Sequence, residues 1–254
     1  MQTNTTKARL KAGETVYGCF VRYPDASLIE VLGFQAWDFL VFDGEHGVLE
    51  PRDCEHLCRA AELRGVTPIV RVPTNQPHHI LRLMDAGPLG LHVPWVNSAA
   101  EAEAAVQAVK YHPRGQRGLA GVRASGFGQA GPLGEYTTQA NAETLVVIHI
   151  ETMEAVEQAG QIAATDGVDV VFVGPTDLSQ SLGVPGQVQH PTVLAAIDRV
   201  IEAVAPSPAA FGIMAGNAAL ARQWRARGAR YLTVTLDSLL TPAVKEFLQA
   251  VHAD

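Results

Sequence analysis

Eight short apolar runs alternate with eight amphipathic stretches along this chain. The runs are Val16–Val21, Asp38–Asp43, Thr67–Val72, Gly90–Pro94, Leu145–Ile150, Val168–Val173, Ala209–Met214 and Arg230–Thr235. They are short, bounded by turn residues and mostly rich in β-branched side chains, which predicts strands buried on both faces. Between them, apolar positions recur at helical spacing over Ala26–Leu32, Arg52–Leu63, His78–Ala86, Ala99–Tyr111, Met153–Thr165, Thr192–Ala205, Ala218–Ala226 and Ser238–His252. Pro51 and Pro191 fall where a first helical turn tolerates proline, and Asn217 and Asp237 stand where caps are expected. This alternation predicts a parallel (β/α)8 barrel of the α/β class, one domain over residues 1–254. A doubly wound open sheet would share the alternation, but no Gly-rich dinucleotide turn is present. The connection from His112 to Asn141 is long and rich in Gly, Ala and Arg, without clear periodicity. It reads as an excursion with a covering or oligomer-contact role.

Composition narrows the function classes. The chain has 254 residues, 47% of them hydrophobic, and a formal net charge of -7. With no basic run, nucleic acid is not an expected partner. No apolar stretch approaches a membrane span, and the polar start lacks a signal-peptide core, so a cytoplasmic protein is expected. Cys54 and Cys58 share a helix face and Cys19 lies in a strand, a pattern of reduced thiols rather than a disulfide framework.

In a barrel of this kind the chemistry sits at the carboxyl ends of the strands. Those ends carry Asp43-Gly44-Glu45-His46-Gly47, Arg71, Pro94-Trp95-Val96-Asn97, Glu151 and Asp177. Two carboxylates ending buried strands repel one another unless a cation sits between them. Glu151 and Asp177 therefore read as hard oxygen ligands for Mg²⁺ or Mn²⁺, with Co²⁺ a further candidate. Arg71 offers a planar fork for a substrate carboxylate. The break at Gly174-Pro175-Thr176 can present the backbone N–H groups of Thr176 and Asp177 to the same anion. His46 is the natural proton carrier near neutral pH. Asp43 either orients it or serves as a buried structural acid.

Lysine is informative by its positions. Lys7, Lys11, Lys110 and Lys245 all lie in the N-terminal segment or in helical patterns. None stands at a strand end, where an imine-forming lysine would be needed. An aldolase on this barrel would require a metal.

The motifs Phe42–Gly47, Asp85–Gly87 with Val93–Ser98, Tyr111–Gly118 and Gly174–Ser179 occur in order, and together they resemble the HpcH/HpaI aldolase family of metal-dependent class II pyruvate aldolases. The resemblance runs from about Gly18 to Leu248. It implies reversible cleavage of a 4-hydroxy-2-keto acid to pyruvate and an aldehyde. It also implies that Glu151 and Asp177 are the metal carboxylates, His46 the catalytic histidine with Asp43 beside it, and Arg71 the arginine at the keto acid. Gly174 and Thr176 fall in the implied carboxylate-binding turn. The family assembles as trimers or dimers of trimers, often exchanging the last helix, so a homo-oligomer is expected here.

One position departs from the resembled pattern. Glutamine is usual two residues before the metal glutamate, and this chain has His149. Strand alternation puts His149 on the same face as Glu151. It reads as a substrate-side hydrogen-bonding substitute, a packed histidine behind the site, or an extra metal ligand. His78, His79, His92, His190 and His252 have no partners at ligand spacing and read as surface or ordinary packing. Two other lyase activities fit the same residues: oxaloacetate decarboxylation, and CoA-thioester cleavage of the citrate lyase β-chain type, which would need a basic rim. A catalytically silent keto-acid binder is the non-enzymatic alternative. The aldehyde is not legible, nor is the choice of base between His46 and a water beside the cation.

Overall fold

Alternation within each strand builds two separate cores around one closed sheet. In the computed structural model, which describes residues 2–253, the strands are β1 (Val16–Val21), β2 (Phe39–Asp43), β3 (Thr67–Arg71), β4 (Gly90–Val93), β5 (Leu145–Ile150), β6 (Val170–Val173), β7 (Ala210–Met214) and β8 (Tyr231–Thr235). They form a parallel barrel closed by β1 against β8. Phe20, Phe39, Val41, Ile69, Val147, Val170, Phe172 and Tyr231 pack together inside it. Their chain neighbours, such as Leu40, Phe42, Val70, Val146, Ile148 and Val171, join the outer core beneath the helices. Each such Val, Ile, Leu or Phe contributes about 1.5–3 kcal/mol by burial.

The helices are α1 (Thr5–Lys11), α2 (Ala26–Gly33), α3 (Pro51–Leu63), α4 (Pro77–Asp85), α5 (Ala99–Val109), α6 (Leu133–Glu143), α7 (Met153–Ala163), α8 (Pro175–Ser181), α9 (Pro191–Val204), α10 (Ala218–Ala226) and α11 (Leu236–His252). All eight expected strands and eight expected helices are present, with ends shifted by a few residues. Pro51 opens α3 inside a capping box of Glu50 and Asp53, and Asn217 caps α10 by accepting from the Leu220 N–H. Thr235, not Asp237, caps α11. Asp237 lies in its first turn and pairs with Arg22 and Tyr23.

The long connection differs from the covering half of its expected role. It contains a 3-10 segment, Arg123–Gly128, and ends in α6. Arg117 binds Asp85, while Arg123 binds Glu62 and the Ala86 carbonyl. These anchors lie where α3 and α4 end, at the amino end of the barrel, so the segment does not cover this chain's own barrel mouth. α1 closes that same end, with Leu10 packed into the barrel core. Among the described residues no helix is long and apolar enough to cross a membrane, and the three cysteines are buried and free.

Candidate active site

Inward-facing positions alternate, so the residues that continue the interior rows of β2, β3, β4 and β5 toward the barrel mouth are Asp43, Arg71, His92, His149 and Glu151. Asp43 pairs in register with Arg71, and Arg71 with His92. All five side chains are buried. A charged cluster at such depth persists only if its members satisfy one another.

Arg71 and Asp43 do so bidentately. Arg71 Nε donates to Asp43 Oδ1 at 2.8 Å, and Nη2 to Oδ2 at 2.6 Å. Burial would raise the Asp43 carboxyl, but Arg71 and the Glu45 and His46 backbone N–H groups outweigh it and hold it below the usual carboxylate range. Arg71 Nη1 lies 2.9 Å from Glu45 Oε2, an ion pair outside hydrogen-bond geometry. The expected free fork for a substrate is therefore a correction: Asp43 occupies it, and only the remaining guanidinium N–H bonds are available. Asp43 likewise binds the backbone N–H of His46 at 3.2 Å rather than its ring. The His46 side chain stands exposed at the rim.

Glu151 is held from three sides. His149 Nδ1 lies 2.8 Å from Oε1, and the Trp95 N–H donates to Oε2 at 2.9 Å. Trp95 adopts φ 55°, a left-handed backbone costly for a bulky residue. A Cβ added at Gly174 would sit 3.0 Å from Glu151 Oε1, so glycine lets the β6 end approach this carboxylate. Burial pushes Glu151 up, yet His149, the Trp95 N–H and Arg71 together bring it below its ordinary value. Asp177 lies in the first turn of α8, beside the exposed Thr176. Burial and then the charge of Glu151 push its carboxyl up.

His149 has both ring nitrogens engaged by the protein. Its Nε2 is 2.8 Å from His92 Nδ1, so neither nitrogen is free to ligate a metal. It is the packed, hydrogen-bonded histidine behind Glu151. His92 is no ordinary packing residue, since its Nε2 meets the Tyr231 hydroxyl at 2.7 Å. Glu45 is a further site residue that spacing alone did not single out. Its Oε1 accepts from Trp95 Nε1 at 3.0 Å, and burial followed by Glu151 pushes its carboxyl up against the opposing pull of Arg71. Inward alternation on β4 and β8 was the signal that could have flagged His92 and Tyr231.

The donor set suits a divalent cation. Asp43, Glu45, Glu151 and Asp177 converge on one guanidinium, and Asp177 is destabilised as an anion by Glu151. Among the described residues no third His, Cys, Asp or Glu completes a metal-ligand group. Glu151 and Asp177 are the two that would hold such an ion, leaving positions for water and substrate oxygens.

A closed (β/α)8 barrel with acids and an arginine at the carboxyl-end rim is the architecture of a barrel enzyme. The chain belongs to the HpcH/HpaI aldolase/citrate lyase family, whose profile matches residues 16–242. It is 36% identical over 236 residues to a hydroxypyruvate/pyruvate aldolase of Roseobacter denitrificans, covering 92% of this chain and 91% of that one. It is also 36% identical over 249 residues to a 4-hydroxy-2-oxo-heptane-1,7-dioate aldolase of Escherichia coli, covering 97% and 94%. A solved structure of a family protein from Burkholderia cenocepacia superposes with a TM-score of 0.93 at 38% identity, over 98% of this chain and 99% of that chain.

Proposed function

We propose that this protein is a class II aldolase, a carbon–carbon lyase that reversibly cleaves a 4-hydroxy-2-keto acid to pyruvate and an aldehyde. The observation that carries the reading is the pair of carboxylates at adjoining strand ends, Glu151 after β5 and Asp177 after β6, with Asp177 pushed up by burial and then by Glu151, and with Arg71 near both. Mg²⁺ or Mn²⁺ held there would supply Lewis-acid polarisation of the keto oxygen. The free N–H bonds of Arg71 bind the keto acid. The opening turn of α8 at Gly174 and Thr176 faces its carboxylate with N–H groups that lack intrahelical acceptors. His46 takes the proton of the 4-hydroxyl. The C3–C4 bond then breaks, C4 leaves as the aldehyde carbonyl, and the electron pair passes to the keto-acid half as an enolate. Protonation at C3 gives pyruvate.

Lysine chemistry is not at hand. Lys7 and Lys110 both donate to the Thr144 carbonyl at the amino end of the barrel, far from the rim. Oxaloacetate decarboxylation would use the same enolate-forming residues. The free buried thiols fit a reducing, cytoplasmic setting. The test is pyruvate release from a panel of 4-hydroxy-2-keto acids, with EDTA-treated protein reloaded with Mg²⁺, Mn²⁺ or Co²⁺. No release from any member with any ion refutes the aldolase reading.

The protein is further proposed to be a homo-oligomer, a trimer or hexamer, that exchanges α11. This helix buries none of its residues, and Leu240, Val244, Phe247, Leu248 and Val251 stand exposed along it. An apolar cleft lined by Tyr17, Trp37, Ala221, Leu232 and Val234 remains on the barrel wall beside α10. Trp37 Nε1 is buried there without a partner. The helix of a second copy would cover this cleft.

A further inference from the structure

Glu151 is the end of a longer chain of hydrogen bonds that runs down the barrel axis. His149 Nδ1 lies 2.8 Å from Glu151 Oε1, His92 Nδ1 lies 2.8 Å from His149 Nε2, and Tyr231 Oη lies 2.7 Å from His92 Nε2. Tyr231 and His92 are fully buried, and His149 and Glu151 are 1% exposed. Phe20 and Phe172 wall the imidazoles, with ring centroids 5.2 Å from His92 and, for Phe172, 4.8 Å from His149. Phe39 stacks on Tyr231 at 4.3 Å. Gly212 makes room for this floor, since a Cβ there would lie 3.1 Å from both Phe172 and Tyr231. Each link of the chain is a direct side-chain contact.

The protons can be assigned from the partners alone. An ionised Glu151 only accepts, so His149 must carry its proton on Nδ1. The Tyr231 hydroxyl donates to His92 Nε2, so His92 carries its own proton on Nδ1 and His149 Nε2 is the acceptor. Every proton has an acceptor. In the opposite polarity His149 Nε2 and His92 Nε2 would donate, and the Tyr231 O–H would be left without an acceptor in the buried interior, since among the described residues no other bond to it occurs. That arrangement is disfavoured by the cost of an unmade buried bond. Burial acts the same way, pushing the Tyr231 phenol up so that it keeps its proton and the His92 imidazolium down so that the ring stays neutral.

We propose that Tyr231 and His92 are positioning residues for the lyase reaction: by engaging His149 Nε2 with a ring that is itself held at its far nitrogen, they fix the plane of the His149 imidazole and thereby the orientation of the Glu151 carboxylate. The proposal rests on the assignment of Glu151 as a metal carboxylate. Held at Oε1 by His149 and at Oε2 by the Trp95 N–H, the carboxylate keeps one orientation. Neither Tyr231 nor His92 reaches the substrate. Their action passes entirely through His149, as outer partners orient the ligands of a metal.

The experiment uses three variants and two readouts. Histidine ¹⁵N NMR of the metal-free full-length protein reads the tautomers, and titration with Mn²⁺ followed by electron paramagnetic resonance reads affinity. Wild type is expected to show His92 and His149 both protonated at Nδ1, with ring N–H protons in slow exchange. Tyr231→Phe keeps the stack on Phe39 but removes the donor to His92 Nε2, so His92 should keep its Nδ1 proton while its ring N–H exchanges faster, and the Mn²⁺ dissociation constant should rise. His92→Leu should raise it by about tenfold. His92→Gln can donate from its amide and accept at its carbonyl, so it should restore affinity to within about threefold of wild type. A residue needed only for packing would rank the other way, with Leu better than Gln. An Nε2–H tautomer at His149 in wild type, or equal Mn²⁺ affinity in His92→Leu and His92→Gln, would overturn the proposal. The tautomers are read without metal or substrate, so a protein with the chain intact but no pyruvate release would refute the aldolase reading and leave the positioning chain standing.

Discussion

Arg71 and Asp43 face each other across adjacent strands as a bidentate pair, with Nε 2.8 Å from Oδ1 and Nη2 2.6 Å from Oδ2. The guanidinium is thus oriented by the protein before any substrate arrives. Lysine at position 71 would keep a charge but lose the fork. Arg71→Lys should lower kcat/KM by a factor corresponding to about 1.5–3 kcal/mol, from the usual strength of hydrogen bonds to charged groups. Asp43→Ala should in addition destabilise the fold by about 3–5 kcal/mol, because it leaves a buried guanidinium without its partner. Steady-state kinetics and urea unfolding measure the two effects. An Arg71→Lys enzyme within twofold of wild type would remove Arg71 from substrate binding.

Metal dependence follows from the acid pair. EDTA should abolish cleavage, and Mg²⁺ or Mn²⁺ should restore it. Borohydride with pyruvate should leave the mass of the protein unchanged. Asp177→Asn should weaken Mn²⁺ binding sharply while making the metal-free protein more stable to heat, since it removes the burial of a charge and the repulsion from Glu151 that together push Asp177 up. Full activity of metal-free enzyme would end the class II reading.

Lys110 predicts a pH dependence of stability unrelated to catalysis. Burial, followed by the nearby charge of Lys7, pushes its ammonium down from 10.5 to about 7, against the opposing pull of Asp169. The unfolded chain holds that proton up to its ordinary value, whereas the folded one releases it near neutrality. Between about pH 7 and 10.5 the unfolded state binds more protons, so this group's contribution to stability rises with pH and its cost is greatest below 7. Comparing wild type with Lys110→Met by urea unfolding should show the stability difference shifting in favour of wild type by roughly 2 kcal/mol from pH 7 to 9. A difference independent of pH would show that the ammonium is not depressed.

The exposed stripe on α11 predicts assembly through that helix. Phe247→Glu places a charge on its most exposed large apolar position, 66% accessible. Light scattering at micromolar concentration should give an oligomer for wild type and a smaller species for the variant. A monomeric wild type would refute the exchange of α11.

The alternation of short β-branched runs with helical stretches was legible because it is local and repeats. Each run such as Val170–Val173 carries its own burial pattern, and eight such units have few ways to bury their apolar faces other than a closed barrel. Carboxylates that end those strands were legible for the same reason, as strand ends can be counted. α1 and α8 were missed because both are only seven residues long, too short for a periodic signal. The connection after α5 hid α6 because it is polar and weakly patterned, and its arginines are spent on distant acids.

By itself the sequence determined the barrel, the rim on which chemistry occurs and the acids that converge there, since strand period and strand ends are properties of neighbouring residues. Which inward side chains touch was decided only by the tertiary structure. Asp43 was read either as a partner of His46 three residues away or as a buried structural acid, and its carboxylate locks Arg71, which register places opposite it on the next strand. His92 meets a histidine 57 positions away and a tyrosine 139 positions away. The barrel closes by pairing β8 with β1 and directs side chains from strands that are not neighbours toward one axis. No spacing along the chain encodes that meeting; it is set by the register and tilt of the whole sheet.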